Sequence, residues 1–225
     1  MKVLFTLLLT GAAVLAQTPA PKKAAPGAAK KVAPRPSVPD LYRVKFATTH
    51  GDFVVEVHRD WAPIGAARFY SLVRQHFFTN EAFFRIVPNF IVQWGLSPSP
   101  AVNKQWEKAN IKDDPVKQHN TRGTVVFATA GPNTRTTQLF INLHDNTSSL
   151  DSQGFAPFGT VTEGMEIVDG LYAGYGERPD QGMITDQGAA YLNKNFPKLD
   201  KITSATIIFP EPAAPAKKAA PAPKK

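Results

Sequence analysis

With 225 residues, the chain suits one domain of ordinary size with tails. It contains no cysteine, which excludes disulfides, thiol catalysis and cysteine-based zinc sites. Its formal charge of +8 belongs to the ends: residues 41–209 hold 16 Lys and Arg against 16 Asp and Glu, the remainder ten against two, so the basic excess gives no reason to expect a nucleic-acid groove on the folded part.

The amino end reads as a secretion leader. Lys2 supplies a positive start, Val3 to Leu15 an apolar run too short to span a bilayer, and Val14-Leu15-Ala16 small cleavage-site residues. Residues 1–16 are therefore expected to be a signal peptide and the protein to be exported, to the periplasm, the cell envelope or the medium. Residues 17–40 and 210–225 are rich in Pro, Ala and Lys and poor in large apolar side chains. They cannot bury enough surface to offset their ordering entropy and are expected to be disordered tethers. Their charge allows weak contact with anionic envelope surfaces.

The folded part is expected to span 41–209. Arg43 to Thr48 and Phe53 to His58 read as a hairpin around His50-Gly51-Asp52. Pro63 opens a helix in which Ala66, Phe69, Tyr70 and Val73 recur at helical spacing, ending near Arg74 to His76. Phe83 to Trp94 holds two apolar runs joined at Pro88-Asn89, a turn dipeptide. Leu96 to Arg122 is a long polar loop with short turns around Val102 to Lys108, a length that usually marks function or disorder. Strands are expected at Thr124 to Thr129, Leu139 to Leu143, Phe158 to Thr162 and Ser204 to Phe209. Short helices are expected at Met165 to Tyr172 and Ala189 to Asn195, with a Gly-rich loop over Ala173 to Gly188. Periodicity alone leaves an antiparallel barrel, a sandwich and an α+β sheet all open.

The Phe83–Trp94 pair places one polar residue in each apolar run, Arg85 and Gln93. Strand alternation puts Arg85 on the face of Phe83 and Val87, and Gln93 on that of Ile91. A guanidinium in an apolar wall needs partners, unless it sits at a sheet edge and reaches water along its stem.

Further stretches decide between these readings. Phe127-Ala128-Thr129-Ala130-Gly131-Pro132-Asn133-Thr134 leads into Thr136-Thr137-Gln138-Leu139-Phe140-Ile141-Asn142, and Leu150-Asp151 precedes Phe158-Gly159-Thr160-Val161 and Glu163-Gly164-Met165. With Phe83-x-Arg85-x-x-Pro88-x-Phe90-x-x-Gln93, these runs occur in the order and at about the spacing of the cyclophilin family of peptidyl-prolyl isomerases, which the chain resembles from about Tyr42 to Phe209. The resemblance implies a mainly β fold: an eight-stranded antiparallel closed β-barrel capped by two α-helices. It also implies an isomerase acting on proline-containing segments of exported proteins during folding, as a monomer, with no cofactor and no metal. His50, His58, His76, His119 and His144 lack ligand-like spacing in any case.

Carried over residue by residue, the resemblance makes Arg85 the catalytic donor and Gln93 the residue that orients it. Phe90, Ile91, Phe140 and Leu150 match the proline pocket, Ala128, Thr129 and Ala130 the segment along which the peptide lies, and Gln138 the pocket border. Three departures stand out. Ser149 occupies the position of a common tryptophan, which in the family contacts cyclosporin. The Asp151–Phe158 run is one residue longer than the common form, so that Phe155 lies nearest the place of a pocket histidine. Ile91 replaces a commoner methionine. The altered wall supports an alternative from another class: a low-turnover binding module or chaperone for proline-containing segments.

Overall fold

The computed structural model describes residues 37–209. The leader, the tail after residue 209 and all but the last four residues of the 17–40 segment lie outside them. Within that segment Val38 is half buried against the core, and Asp40 pairs with Arg59 at 3.2 Å, so packing contacts begin just ahead of Leu41.

The first two strands form the expected hairpin. β1 (Leu41–Thr48) pairs antiparallel with β2 (Asp52–His58), Val44 opposite Val55 and Phe46 opposite Phe53. Alternation sends Tyr42, Val44 and Phe46 inward and Arg43 and Lys45 outward, where Arg43 meets Glu56 at 2.7 Å and Lys45 meets Asp52 at 2.7 Å. Helix α1 (Pro63–Arg74) begins at its proline and buries Ala66, Phe69, Leu72 and Val73. Its first turn is capped from the long loop: the Asp114 carboxylate accepts from Ile64 N at 2.9 Å and Gly65 N at 2.8 Å. Asp114 also faces the buried Arg135 at 3.1 Å, which compensates its charge.

β3 (Arg85–Val87) and β4 (Ile91–Trp94) follow, joined by a turn in which Asn89 takes φ 61°, a conformation asparagine tolerates. The remaining elements are α2 (Pro100–Trp106), β5 (Thr124–Phe127), β6 (Leu139–Asn142), α3 (Thr147–Leu150) with a 3-10 turn at Asp151–Gln153, β7 (Pro157–Glu163), α4 (Met165–Gly170), α5 (Gln181–Gln187), α6 (Ala189–Asn195) and β8 (Ile202–Phe209). The expected loop over Ala173 to Gly188 thus contains α5. Only Ile184 of that helix is buried, so its sequence carries little period, but Asp180 caps it by accepting from Met183 N at 2.8 Å.

All eight strands join one antiparallel sheet in the order β3-β4-β6-β5-β7-β2-β1-β8. The sheet is open rather than the closed barrel expected, with β3 and β8 as its ends. Among the described residues a single bridge, Ala82 to Lys201, links the segments ahead of those two strands, with Phe83 N donating to Asp200 O at 3.0 Å and Ile202 N to Glu81 O at 2.8 Å. Among the described residues no closing ladder forms. β3 is three residues long, and just before it Phe83 turns into the main core while Phe84 joins a second cluster with Leu96, Ile184, Leu192 and Leu199. The sheet therefore has two expected caps, α1 and α4, each packed on the main core, plus an outlying pair, α5 and α6, with a small core of its own.

The main core takes residues from all eight strands and from α1 and α4. It is rich in aromatic pairs: Phe46 stacks on Phe53 at 4.9 Å, and Phe158 meets Phe69 at 5.1 Å and Phe127 at 5.3 Å.

Candidate active site

The four neighbouring strands β3, β4, β6 and β5 present two different faces. Ile86, Val92, Trp94, Leu139, Ile141, Val125 and Phe127 belong to the main core. Their alternates point the other way, and the register sets them in a row: Arg85 opposite Gln93, Gln93 opposite Phe140, Phe140 opposite Val126. Phe83 is not on Arg85's face. It precedes the strand, so the alternation does not reach it, and it is fully buried in the main core.

On this outer face a third apolar cluster forms from Ile91, Val126, Phe140 and Leu150, with Phe90, Ala128 and Phe155 half buried against it. Above it runs a polar chain. Arg85 Nη1 donates to Gln93 Oε1 at 3.1 Å, and Gln93 Nε2 donates to Gln138 Oε1 at 2.8 Å. Gln93 is buried and needs both bonds. The Arg85 side chain is 24% exposed; its Nε donates to Glu177 Oε1 at 2.7 Å, and its Cζ lies 5.9 Å from the Phe90 ring centroid.

These residues surround a cavity of about 560 Å³. Arg85, Gln93 and Gln138 form its polar side. Phe90, Ile91, Phe140, Leu150 and Phe155 form its apolar side. Ala128, Thr129 and Ala130 continue β5 along its rim. All eleven residues singled out from the sequence therefore meet in one place. Phe155 sits edge-on to Phe140 at 5.6 Å and 73°, an aromatic wall at the altered segment. Ser149 points away: its hydroxyl donates to Asn146 O at 3.0 Å and does not line the cavity. Thr134, Thr136, Gln153 and Gln181 also line it and escaped the sequence reading. Gln181 comes from α5, which has no periodic signature, and Gln153 from the lengthened turn.

The walls are fixed by buried asparagines. Asn146 Nδ2 donates to Phe90 O at 2.9 Å and holds the β3–β4 turn. Asn142 Nδ2 donates to Thr124 Oγ1 at 2.9 Å. Asn120 Nδ2 donates to Asp151 Oδ1 at 2.7 Å and to Phe155 O at 2.8 Å. Burial pushes the Asp151 carboxyl up, but hydrogen bonds from Asn120 and from His119 at 2.7 Å prevail and hold it below the usual carboxylate range. The site therefore combines an apolar pocket, a fixed cationic donor at its mouth and a rigid frame. Within the cavity lining, no nucleophile stands beside a base.

Residues 43–188 match the family model described as cyclophilin type peptidyl-prolyl cis-trans isomerase/CLD. Over 173 residues the chain is 31% identical to peptidyl-prolyl cis-trans isomerase B of Escherichia coli K12, covering 73% of this chain and 98% of that protein. It is 37% identical over 131 residues to a peptidyl-prolyl cis-trans isomerase of Acinetobacter baylyi, covering 56% and 69%. In fold it is similar to the crystal structure of a cyclophilin type peptidyl-prolyl cis-trans isomerase from Cryptosporidium parvum, with TM-score 0.55 and 19% identity over 74% of this chain and 97% of that one. The same protein crystallised in the presence of the dipeptide Ala-Pro gives 0.54 at 19% identity, over 73% and 98%.

Proposed function

The chain belongs to the cyclophilin-type peptidyl-prolyl cis-trans isomerase family and is an isomerase of X-Pro bonds, and from that premise we propose that Arg85 is its catalytic donor and that its substrates are proline-containing segments of exported proteins. An X-Pro amide resists rotation because its C–N bond has partial double-bond character, and the uncatalysed step takes tens to hundreds of seconds. When the bond twists, conjugation is lost and the prolyl nitrogen regains its lone pair. A donor aimed at that nitrogen binds the twisted state better than either planar state, and only such differential binding accelerates the step.

Arg85 fits this role because it is always charged and acts without any proton transfer. The apolar side of the cavity, Ile91, Phe140, Leu150 and Phe155 with Phe90 at the turn, takes the proline ring. Gln93 receives Nη1 of Arg85 and is itself tied to Gln138, so the donor is oriented before substrate arrives. Ala128, Thr129 and Ala130 offer the extended segment beside which the flanking peptide lies. The single observation that carries the reading is the register-locked row Arg85–Gln93–Phe140, which sets a fixed cation beside an apolar floor.

The leader-like residues 1–16 support export and a folding role outside the cytoplasm, and a monomer is part of the same proposal. The basic excess of the Lys- and Pro-rich ends is suited to weak contact with anionic envelope surfaces. An isomerisation assay on a short X-Pro peptide tests the assignment of Arg85: Arg85→Ala is expected to lose most turnover while keeping its fold. A folded Arg85→Ala variant with wild-type turnover would overturn it. A wild type that binds such peptides without turning them over would favour a binding module.

A further inference from the structure

The guanidinium of Arg85 is held from two sides. Gln93 takes Nη1, on the sheet. On the solvent side one oxygen of Glu177 meets both Nε, at 2.7 Å, and Nη2, at 2.5 Å. Glu177 lies in the connection between α4 and α5, 92 residues along the chain from Arg85, and that connection is pinned to the free edge of β3. Gly176 O accepts from Ile86 N at 3.3 Å, Gly176 N donates to Ala173 O at 3.0 Å, and Arg178 N donates to Tyr175 O at 3.1 Å. Gly176 takes φ 58°, a backbone turn that favours glycine and presents the next side chain to Arg85. The Arg178 guanidinium clamps the same turn by donating to Gly174 O at 2.8 Å and Tyr175 O at 3.2 Å.

We infer that Glu177 is a positioning residue for Arg85, fixing the plane of its guanidinium so that the remaining N–H groups of Nη1 and Nη2 serve the substrate. The inference rests on the reading of Arg85 given above and extends it to a loop that none of the motifs includes. Gln93 alone grips one end of a long, rotatable side chain. A second grip on Nε and Nη2 removes the remaining rotation about the end of the stem, while Phe90 lies against the guanidinium at 5.9 Å. A partly exposed ion pair contributes little to stability, and Glu177 is 61% exposed, so its effect belongs in turnover rather than in folding. Small displacements of a group that must meet the transition state are costly in rate.

The test uses the full-length chain and two readouts, the Arg85 Nε–H resonance and turnover of a short X-Pro peptide. In Glu177→Ala the resonance should shift and exchange faster with water, and kcat should fall about tenfold, with KM and melting temperature unchanged. Glu177→Gln, whose amide oxygen still accepts from Nε–H, should keep the resonance and most of the rate. An unchanged Arg85 resonance in Glu177→Ala, or a kcat within about twofold of wild type, overturns the inference and makes the pair an ordinary surface contact. Loss of turnover in Arg85→Ala beside full turnover in Glu177→Ala overturns only the role of Glu177. Full turnover in Arg85→Ala overturns the reading of Arg85 itself.

Discussion

The two faces of β3, β4, β6 and β5 share one backbone and differ in what covers them. The inner face carries Ile86, Val92, Trp94, Leu139, Ile141, Val125 and Phe127 and is sealed by the hairpin and α1. The outer face carries Arg85, Gln93, Ile91, Phe140 and Val126 and opens on the cavity. An apolar side chain on the first face contributes to stability by burial and dispersion. On the second, the same kind of residue forms a surface kept ready for a ligand, and polar residues are admitted because each has a partner. Alternation along four short strands is enough to separate the folding of this domain from its chemistry.

The separation breaks most visibly where a core aromatic is removed. Phe127→Ala, at 1% exposure, should destabilise the domain by about 3–5 kcal/mol, measured by denaturant unfolding. The molecules that remain folded should keep near-normal activity. A folded but inactive Phe127→Ala would show that the inner face reaches into the chemistry.

Arg85→Ala is the converse case. The barrier to isomerisation should rise by about 3–4 kcal/mol, as for loss of one preorganised electrostatic donor, while the unfolding midpoint stays near that of the wild type. Comparable loss of stability would make Arg85 a structural residue of the sheet.

Glu81, just ahead of β3, is provided for by neither face. It is 1% exposed, and neither carboxyl oxygen has a hydrogen-bond partner of ordinary geometry. Burial pushes its carboxyl well above the usual range, against a smaller lowering influence from the Gly95 backbone. The folded state therefore holds a proton that the unfolded chain gives up at lower pH. The stability tied to Glu81 is fully present below the ordinary carboxylate range and falls as pH rises from there through the raised value. Glu81→Gln should flatten that slope and raise stability at neutral pH by on the order of 1–3 kcal/mol. Unfolding curves at mildly acidic and mildly alkaline pH check this, and an unaltered slope would show that the carboxyl is ionised and paired.

The smallest effect is expected at the altered wall. Ser149 is exposed and turned away from the cavity, so it offers cyclosporin neither the reach nor the flat surface of an indole. Wild-type inhibition should be weak and Ser149→Trp should strengthen it, with X-Pro turnover unchanged. Tight inhibition that Ser149→Trp leaves as it was would assign that surface to Phe155, already edge-on to Phe140.

The site was readable to the extent that it lies on short motifs. Arg85, Gln93 and Phe140 stand in runs whose order and spacing carry the family pattern, and the cavity lining includes all of the residues marked there. Thr134 and Thr136 stand inside those runs, but the resemblance assigns neither of them a place in the pocket. Glu177 and Gln181 come from a Gly-rich segment with almost no period, so their place beside the cavity depended on where α5 packed. The cap of α1 by Asp114 was equally hidden, because a carboxylate 50 residues away along the chain leaves no mark in a helix's own sequence.

Local sequence determined the hairpin, α1, the turn at Asn89 and the alternation that sets Arg85 against Gln93, since each depends on side-chain period and on backbone angles within a few residues. Tertiary structure alone decided that the sheet stays open. Closure depends on how many residues β3 and β8 can align across space, and among the described residues the two ends meet in the Ala82–Lys201 bridge alone. It also decided that Arg85 has a carboxylate partner, because an ion pair between residues so far apart in the chain exists only once the loop after α4 is pinned to the edge of β3.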